Sequence, residues 1–211
     1  MTFGKVRDFV LRLLNQYSSA GTPVAESYNC QADYLDRIPQ LVNDAMMEIA
    51  TTARKIPESL ELRDLEPEEY GSNMLRYKLP EDMFEIVTGG VLHRDEHGLI
   101  TPFTGYRLQG REYILLPRDM KGEFILEYNR YPRTLSDPPA EDEELDGEPI
   151  THQAIPYYVA AFLVDHDDAF LYATFYNKYE DKLAKMLPNI RMEYQPINDV
   201  YECAFSGGGD Y

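Results

Sequence analysis

The string from His93 to His97 holds the side chains of this sequence that are best suited to catalysis. His93, Glu96 and His97 follow the order H-x-x-E-H, in which two histidines bind one zinc ion and the glutamate transfers a proton. That chemistry requires both histidines on one face of a helix. Glycines border the string on both sides and β-type alternation flanks it, so we expect a polar β-turn or a hairpin loop. A zinc-dependent hydrolase is therefore kept only as the alternative function.

A second polar cluster, Asp165-His166-Asp167-Asp168, offers carboxylate oxygens to a divalent cation. The same four residues suit the end of one helix, a turn and the N-cap of the next helix. The sequence contains no P-loop, no Rossmann glycine pattern and no G-x-S-x-G, and its serines and histidines are too scattered to propose a triad. We therefore expect no catalytic residues, no metal and no cofactor, and we predict that the protein is not an enzyme.

The charge of the chain limits its partners. The 37 acidic and 20 basic residues give a net charge of −17, so specific binding to a phosphate backbone is not expected. The acidity either keeps the protein soluble or forms a surface past which DNA slides, and composition does not choose between the two. Cys30 and Cys203 lie far apart and are expected to be free thiols in a reducing cytosol. No apolar run approaches the roughly 18 residues of a membrane span, and we expect no signal peptide and no membrane partner.

Four segments show the apolar spacing of amphipathic helices. The predicted helices cover residues 4–18, 31–55, 152–165 and 169–187. Pro39 lies inside the second helix, where we expect a kink in a continuous helix. Asp168 is expected to cap the fourth helix, which would pair with the third as an αα-hairpin.

Residues 70–131 predict a small antiparallel β region inserted between the helices. Gln109-Gly110 is expected to form a tight hairpin, and Lys121-Gly122 another turn. Residues 136–149 then predict an exposed, extended acidic loop, because this segment lacks the apolar side chains that folding requires. The acidic residues of this loop, which are candidates for lining a channel, are Asp137, Glu141, Asp142, Glu143, Glu144, Asp146 and Glu148.

The last residues, 189–211, form a tail whose large apolar side chains are too widely spaced to fix it alone. Ordering one residue costs about 1–2 kcal/mol of backbone entropy, whereas burying one large apolar side chain returns about 1.5–3 kcal/mol. The tail is therefore expected to dock as a strand, either on a partner or equally on its own β region. The residues predicted to dock are Tyr194, Ile197, Val200, Tyr201 and Phe205.

These elements predict an α+β fold that is mainly α: a helical bundle with an inserted small antiparallel β region and an extended C-terminal tail. The length of 211 residues fits one domain with an appendage. We place the domain at residues 1–188 and the docking tail at residues 189–211.

Six short strings, spread over residues 4–187, share their pattern with one family. They are VRDFVLRLLN at 6–15, DYLDRIPQLVN at 33–43, KLPEDMF at 78–84, YNRYP at 128–132, IPYYVAA at 155–161 and ATFYNKYE at 173–180. Together they resemble the head-to-tail connector (adaptor) proteins of tailed bacteriophages. The tail is not part of the resemblance.

The resemblance implies a structural virion protein without catalytic residues or cofactor. Such adaptors assemble with copies of themselves into a ring of twelve beneath the portal protein. The ring extends the DNA channel and gives downstream neck and tail proteins a platform, and DNA passes through it without sequence-specific binding. The chain would be made in the host cytoplasm and would lie at the head-tail junction of the virion. Another neck ring or a head-completion protein is the alternative within the virion.

Overall fold

The computed structural model describes residues 1–14, 30–165 and 168–186 of the chain. Within these ranges the helices are α1 Phe3–Leu13, α2 Cys30–Thr52, α3 Ile155–Val164 and α4 Ala169–Met186. They occupy the segments in which the apolar spacing predicts helices, and residues 15–18 of the first predicted helix lie outside the described residues. Pro39 lies within α2, which continues through it.

The other three helices pack around α3. Its sequence is apolar on nearly every side, as expected of a helix that neighbours bury on several faces, and α1, α2 and α4 each contact it. The guanidinium of Arg37 donates to the carbonyl of Phe162 at 3.0 Å and ties α2 to α3. We call this cluster the helical core; its buried side chains include Val6, Val10, Ile38, Val42, Ala45, Ile155, Val159, Leu163, Phe175 and Tyr179.

The predicted cap of α4 is confirmed at Asp168. Its Oδ1 accepts the backbone N–H groups of Phe170 at 2.9 Å and Leu171 at 3.0 Å, which have no partner inside the first turn. The helix then packs against α3 through aromatic contacts, such as the edge-to-face pair of Tyr158 and Tyr179 with ring centres 5.1 Å apart. The expected αα-hairpin is therefore present.

Residues 56–130, all of them described, form eight strands in two antiparallel sheets. The strands are β1 Ile56–Glu61, β2 Glu68–Tyr70, β3 Met74–Lys78, β4 Met83–Arg94, β5 Ile100–Pro102, β6 Arg107–Gln109, β7 Tyr113–Pro117 and β8 Glu123–Arg130. The first sheet has the order β1-β8-β4-β5 and the second has the order β2-β3-β7-β6.

The prediction of a mainly α fold, a helical bundle with a small β region, is wrong. The two sheets enclose a hydrophobic core of their own, which is distinct from the helical core. The fold is instead a sheet-rich α+β fold with two cores. We call the second cluster the sheet core; its buried side chains are Leu62, Leu79, Val91, Ile114, Leu116, Phe124, Leu126 and Tyr128.

The β region begins at Ile56, well before the predicted start near residue 70, because the sequence does not predict β1. Pro57 and Glu58 give this strand an irregular and mostly polar pattern. Among the described strands β1 pairs with β8 alone and forms an edge of the first sheet, where proline is tolerated because the ladder does not need its N–H group. The pairing with β8, rather than local sequence, therefore determines this element.

Strand β4 contains a bulge of several residues opposite β8. Ile86 pairs with Tyr128 and Val91 pairs with Leu126, so positions 86 to 91 on β4 face only positions 128 to 126 on β8. Gly90 lies in the bulge, where a Cβ would be 2.4 Å from the carbonyl oxygen of Glu127. Only glycine allows the two backbones to approach so closely. Residues 83–87 form the first part of this strand.

Both predicted turns of the β region are present, but one joins neighbouring strands of a sheet and the other connects the two sheets. The Gln109-Gly110 hairpin joins the neighbours β6 and β7, with Leu108 opposite Ile114, and Gly110 has φ +63°. Gly122, with φ +112°, instead carries the chain from β7 in the second sheet to β8 in the first. The sequence predicts the turns, but it does not predict which sheet each strand joins.

Candidate functional site at the acidic segment

The acidic segment, residues 131–150, links β8 to the short turn that precedes α3 and lies along the start of the chain. The backbone N–H groups of Phe3 and Gly4 donate to the carbonyls of Glu143 at 2.9 Å and Glu141 at 3.0 Å. The first amides of a helix have no partner within it, and the positive end of its dipole favours nearby carboxylates. The acidic segment therefore completes the N-terminus of α1.

The acidic side chains of the segment divide into two groups. The exposed ones are Asp137, Glu141, Asp142 and Glu144, and the half-buried ones are Glu143, Asp146 and Glu148. Glu148 pairs with Arg54 at 2.8 Å, and Glu143 accepts the backbone N–H of Ser136 at 2.8 Å. The expected extended loop with every carboxylate exposed is therefore incorrect for the half-buried group, because specific contacts hold it against the protein.

Asp146 forms the strongest contact of the segment with Arg130, the last residue of β8. Nη2 of Arg130 donates to Oδ1 of Asp146 at 3.0 Å, and Nη1 donates to Oδ2 at 2.5 Å. The same carboxylate accepts the backbone N–H groups of Arg133 at 2.8 Å and Gly147 at 2.9 Å. The Arg130 side chain is only 9% exposed. Arginine and carboxylate thus form a largely buried, bidentate pair of the stronger kind.

The pair stabilises the charged form of both partners. The hydrogen bonds from Arg130 hold the pKa of Asp146 well below its usual range, and Asp146 in turn raises the pKa of Arg130. Glu58 of β1 makes a further contact with Arg130 at 3.4 Å. The two carboxylates balance the charge of the buried Arg130 guanidinium. Without its partner, Arg130 or Asp146 would be an uncompensated buried charge.

His152 completes this cluster from the helical side. It is 2% exposed; its Nε2 lies 3.0 Å from the carbonyl oxygen of Asp146, and its Nδ1 lies 3.1 Å from the α-amino group of Met1. A neutral ring that donates from Nε2 and accepts at Nδ1 satisfies both contacts. Burial lowers the pKa of His152 and favours that neutral form. We call the cluster of Arg130, Asp146, His152 and the Met1 amine the joint.

The joint brings four parts of the chain together: the end of β8, the acidic segment, the N-terminus and the turn before α3. Its polar groups are partnered and mostly buried, so they fix the helical core relative to the first sheet. The arrangement holds the surfaces carried by these four parts in fixed relative positions.

The string from His93 to His97 lies at the end of β4 and in the turn that follows it. Nε2 of His93 is 2.8 Å from the carbonyl oxygen of Lys121, and Oδ1 of Asp95 accepts the N–H of His97 at 2.8 Å. The expected turn is confirmed. The two histidines lie on a strand end and a turn, whereas zinc peptidase chemistry needs both on one face of a helix. In residues 1–14, 30–165 and 168–186, no group of three or more histidine, cysteine, aspartate or glutamate side chains could hold a metal ion.

Several predicted residues lie outside the described residues. They are the docking residues Tyr194, Ile197, Val200, Tyr201 and Phe205, together with Cys203 and with His166 and Asp167 of the second polar cluster. Of the helices that the structure describes, none combines the length and the apolar character needed to cross a membrane.

The sequence does not predict the joint, although one signal was available. Strand β8 reads EFILEYNR, in which Arg130 shares a face with Phe124, Leu126 and Tyr128 because side chains alternate with a period of two, and the structure buries Arg130 there. A buried arginine requires a buried partner, so the pattern signals a missing carboxylate without identifying Asp146. The sequence matches no protein-family model, and no curated protein is detectably similar to it.

Proposed function

We propose that the chain is a structural subunit of the head-to-tail connector of a tailed phage. In this proposal it is an adaptor that assembles into a ring of twelve beneath the portal protein, extends the DNA channel and carries downstream neck and tail proteins. The observation that carries the proposal is the packing of the six strings that resemble the connector family: four pack together in the helical core, and two contact each other beside the joint.

Four of those strings belong to the helices. The strings at 6–15, 33–43, 155–161 and 173–180 overlap α1, α2, α3 and α4 respectively. Each contributes buried side chains to the helical core, for example Val10, Ile38, Val159 and Phe175. Segments that lie far apart in the chain therefore build one packed unit.

The other two strings, KLPEDMF and YNRYP, meet next to the joint. The backbone N–H of Tyr131 donates to the carbonyl of Asp82 at 2.7 Å, and the rings of Phe84 and Tyr131 lie 5.3 Å apart. Met83 is paired with Arg130 of the joint itself. The resemblance thus falls on the helical core and on its connection to the sheets, the parts that would hold a subunit in a fixed shape within a ring.

The charge of the surface supports the passage of DNA. Asp137, Asp142 and Glu144 of the acidic segment are exposed and form no ion pair with the described residues. In a chain with a net charge of −17, such carboxylates repel phosphate, so a lumen that contains them would not retain the DNA.

Exposed apolar side chains of the helices support assembly with other subunits. Phe170 is 77% exposed in the first turn of α4 and is followed by Leu171, while Leu35 and Met47 are exposed on α2. Aromatic residues and methionine are enriched in protein interfaces. A ring neighbour would remove this apolar surface from water.

Electron cryo-microscopy of intact particles of the phage that encodes the chain tests the proposal. We expect twelve copies in a ring between the portal and the first neck or tail protein. A map in which this fold is absent from the neck, or forms part of the capsid shell or tail fibres, would overturn the proposal.

A further inference from the structure

Strand β6 is the last strand of the second sheet and, within the described ranges, pairs on one side alone. It pairs with β7 along Arg107–Gln109, and among the residues that the structure describes no strand lies on its other side. All three of its residues are exposed. An exposed edge of this kind is a template for an additional strand, because its outer N–H and C=O groups lack strand partners.

The other three sheet edges carry features that oppose an added strand. β1 contains Pro57, and β5 ends at Pro102. β2 consists of Glu68, Glu69 and Tyr70, so it repels an acidic segment. Proline and like charges are the usual protection of edge strands, and β6 has neither.

Strand β6 and its hairpin carry positively charged side chains, whereas the chain as a whole has a net charge of −17. Arg107 lies on the strand and Arg111 follows the hairpin, and neither forms an ion pair with the residues that the structure describes. By contrast, Arg76, Arg118 and Lys78 of the same sheet each have a carboxylate partner. β6 therefore offers two unneutralised cations to an acidic strand.

The edge also has an apolar side that continues the sheet core. Leu108 is 49% exposed and lies directly opposite Ile114, which is fully buried in that core. A large apolar side chain next to Leu108 on the same face would cover it and extend the core outwards. The edge thus requires a strand that is both acidic and apolar.

The segment Ile197–Phe205 of the chain has that composition. Its sequence, INDVYECAF, contains two acidic residues, no basic residue and no proline. As a strand it would place Ile197, Tyr201 and Phe205 on one face, because side chains alternate with a period of two. We propose that β6 of one subunit binds residues 197–205 of a second copy as an additional antiparallel or parallel strand.

A second copy fits this role better than the same chain. The last described helix, α4, packs against α3 in the helical core, whereas β6 borders the sheet core. In a ring, a short strand contact that is repeated in every subunit becomes firm attachment through avidity. This inference deepens the proposed function and rests on it for the ring, since it supplies a contact between adjacent subunits.

The native Cys203 allows a direct test on the full chain. In a Cys30→Ser background, Leu108→Cys, Arg107→Cys and Gln109→Cys each place a thiol on β6, and Tyr70→Cys places one on the exposed edge of β2 as a matched control. After mild oxidation we expect disulfide-linked dimers and longer ladders with at least one β6 variant and none with the β2 control. Reversing the charges of the edge should abolish the ladder: Arg111→Glu is added to every β6 variant, and Arg107→Glu is added where position 107 does not carry the thiol. Reversing the charges of the segment as well, with Asp199→Arg and Glu202→Arg, should restore the ladder.

Three results would overturn the inference: no cross-link with any β6 variant, equal cross-linking at β2, or a disulfide only within one chain. Native mass spectrometry of the same samples separates this inference from the proposed function. A ring of twelve without cross-links would leave the connector proposal standing and remove the β6 contact. Linked dimers that never form a ring would support the contact and contradict the connector.

Discussion

Arg130 on the last strand of the sheets and Asp146 in the acidic segment are joined by two parallel hydrogen bonds, one of them 3.0 Å long. This pair connects the two cores of the protein, because β8 belongs to the sheet core and the segment around Leu145 belongs to the helical core. This largely buried ion pair therefore contributes to fixing the helices relative to the sheets.

Arg130→Met tests the contribution of this pair. The substitution leaves Asp146 half-buried and without its cation, so we expect the free energy of unfolding to fall by about 3–5 kcal/mol, measured by urea denaturation. Arg63→Met is the matched control, since Arg63 also pairs with carboxylates but is 55% exposed; its loss should be much smaller, because solvent screens an exposed ion pair. Equal losses for the two variants would show that the joint does not connect the cores.

His152 should make stability depend on pH. Burial lowers the pKa of His152 in the folded protein, whereas in the unfolded chain it is about 6.5. Below about pH 6.5 the unfolded chain binds more protons than the folded one, so the free energy of unfolding should decrease as the pH falls. His152→Gln should reduce this decrease between pH 7.5 and 5.5, measured by urea denaturation at each pH. An unchanged slope in His152→Gln would contradict the assignment.

Gly90 in the β4 bulge should resist substitution. In Gly90→Ala the new Cβ would meet the backbone oxygen of Glu127 at 2.4 Å, and we expect a loss of about 1–3 kcal/mol from the forced backbone shift. Gly98→Asn is the control, because Gly98 has φ +84° in open space and asparagine tolerates such angles. Thermal unfolding of both variants measures the difference, and a neutral Gly90→Ala would refute the close approach.

The helices follow from the sequence because the pattern that predicts each one lies within a single segment: an apolar stripe in α1, α2 and α4, and an almost wholly apolar run in α3. Val6 and Val10 of α1 are both fully buried, as their spacing predicts. The N-cap at Asp168 is equally local, since its partners are two and three residues away. Where the determining contacts lie within one turn, the sequence is sufficient.

The sheets and the joint depend on contacts between distant residues, and there the sequence is insufficient. Ile56 pairs with Arg130, which is far away in the sequence. Strands β7 and β8 are consecutive in the chain but belong to different sheets. The mainly α prediction is wrong for this reason, because short strands such as β2 and β6 show little periodicity of their own. Asp146 likewise gives no local sign that it pairs with Arg130 rather than with solvent.

The most direct test of the connector proposal is native mass spectrometry of the purified chain, alone and mixed with the portal protein of the same phage. We expect a complex whose mass corresponds to twelve copies of the chain on one portal ring. A chain that stays monomeric and does not bind the portal would contradict the proposal.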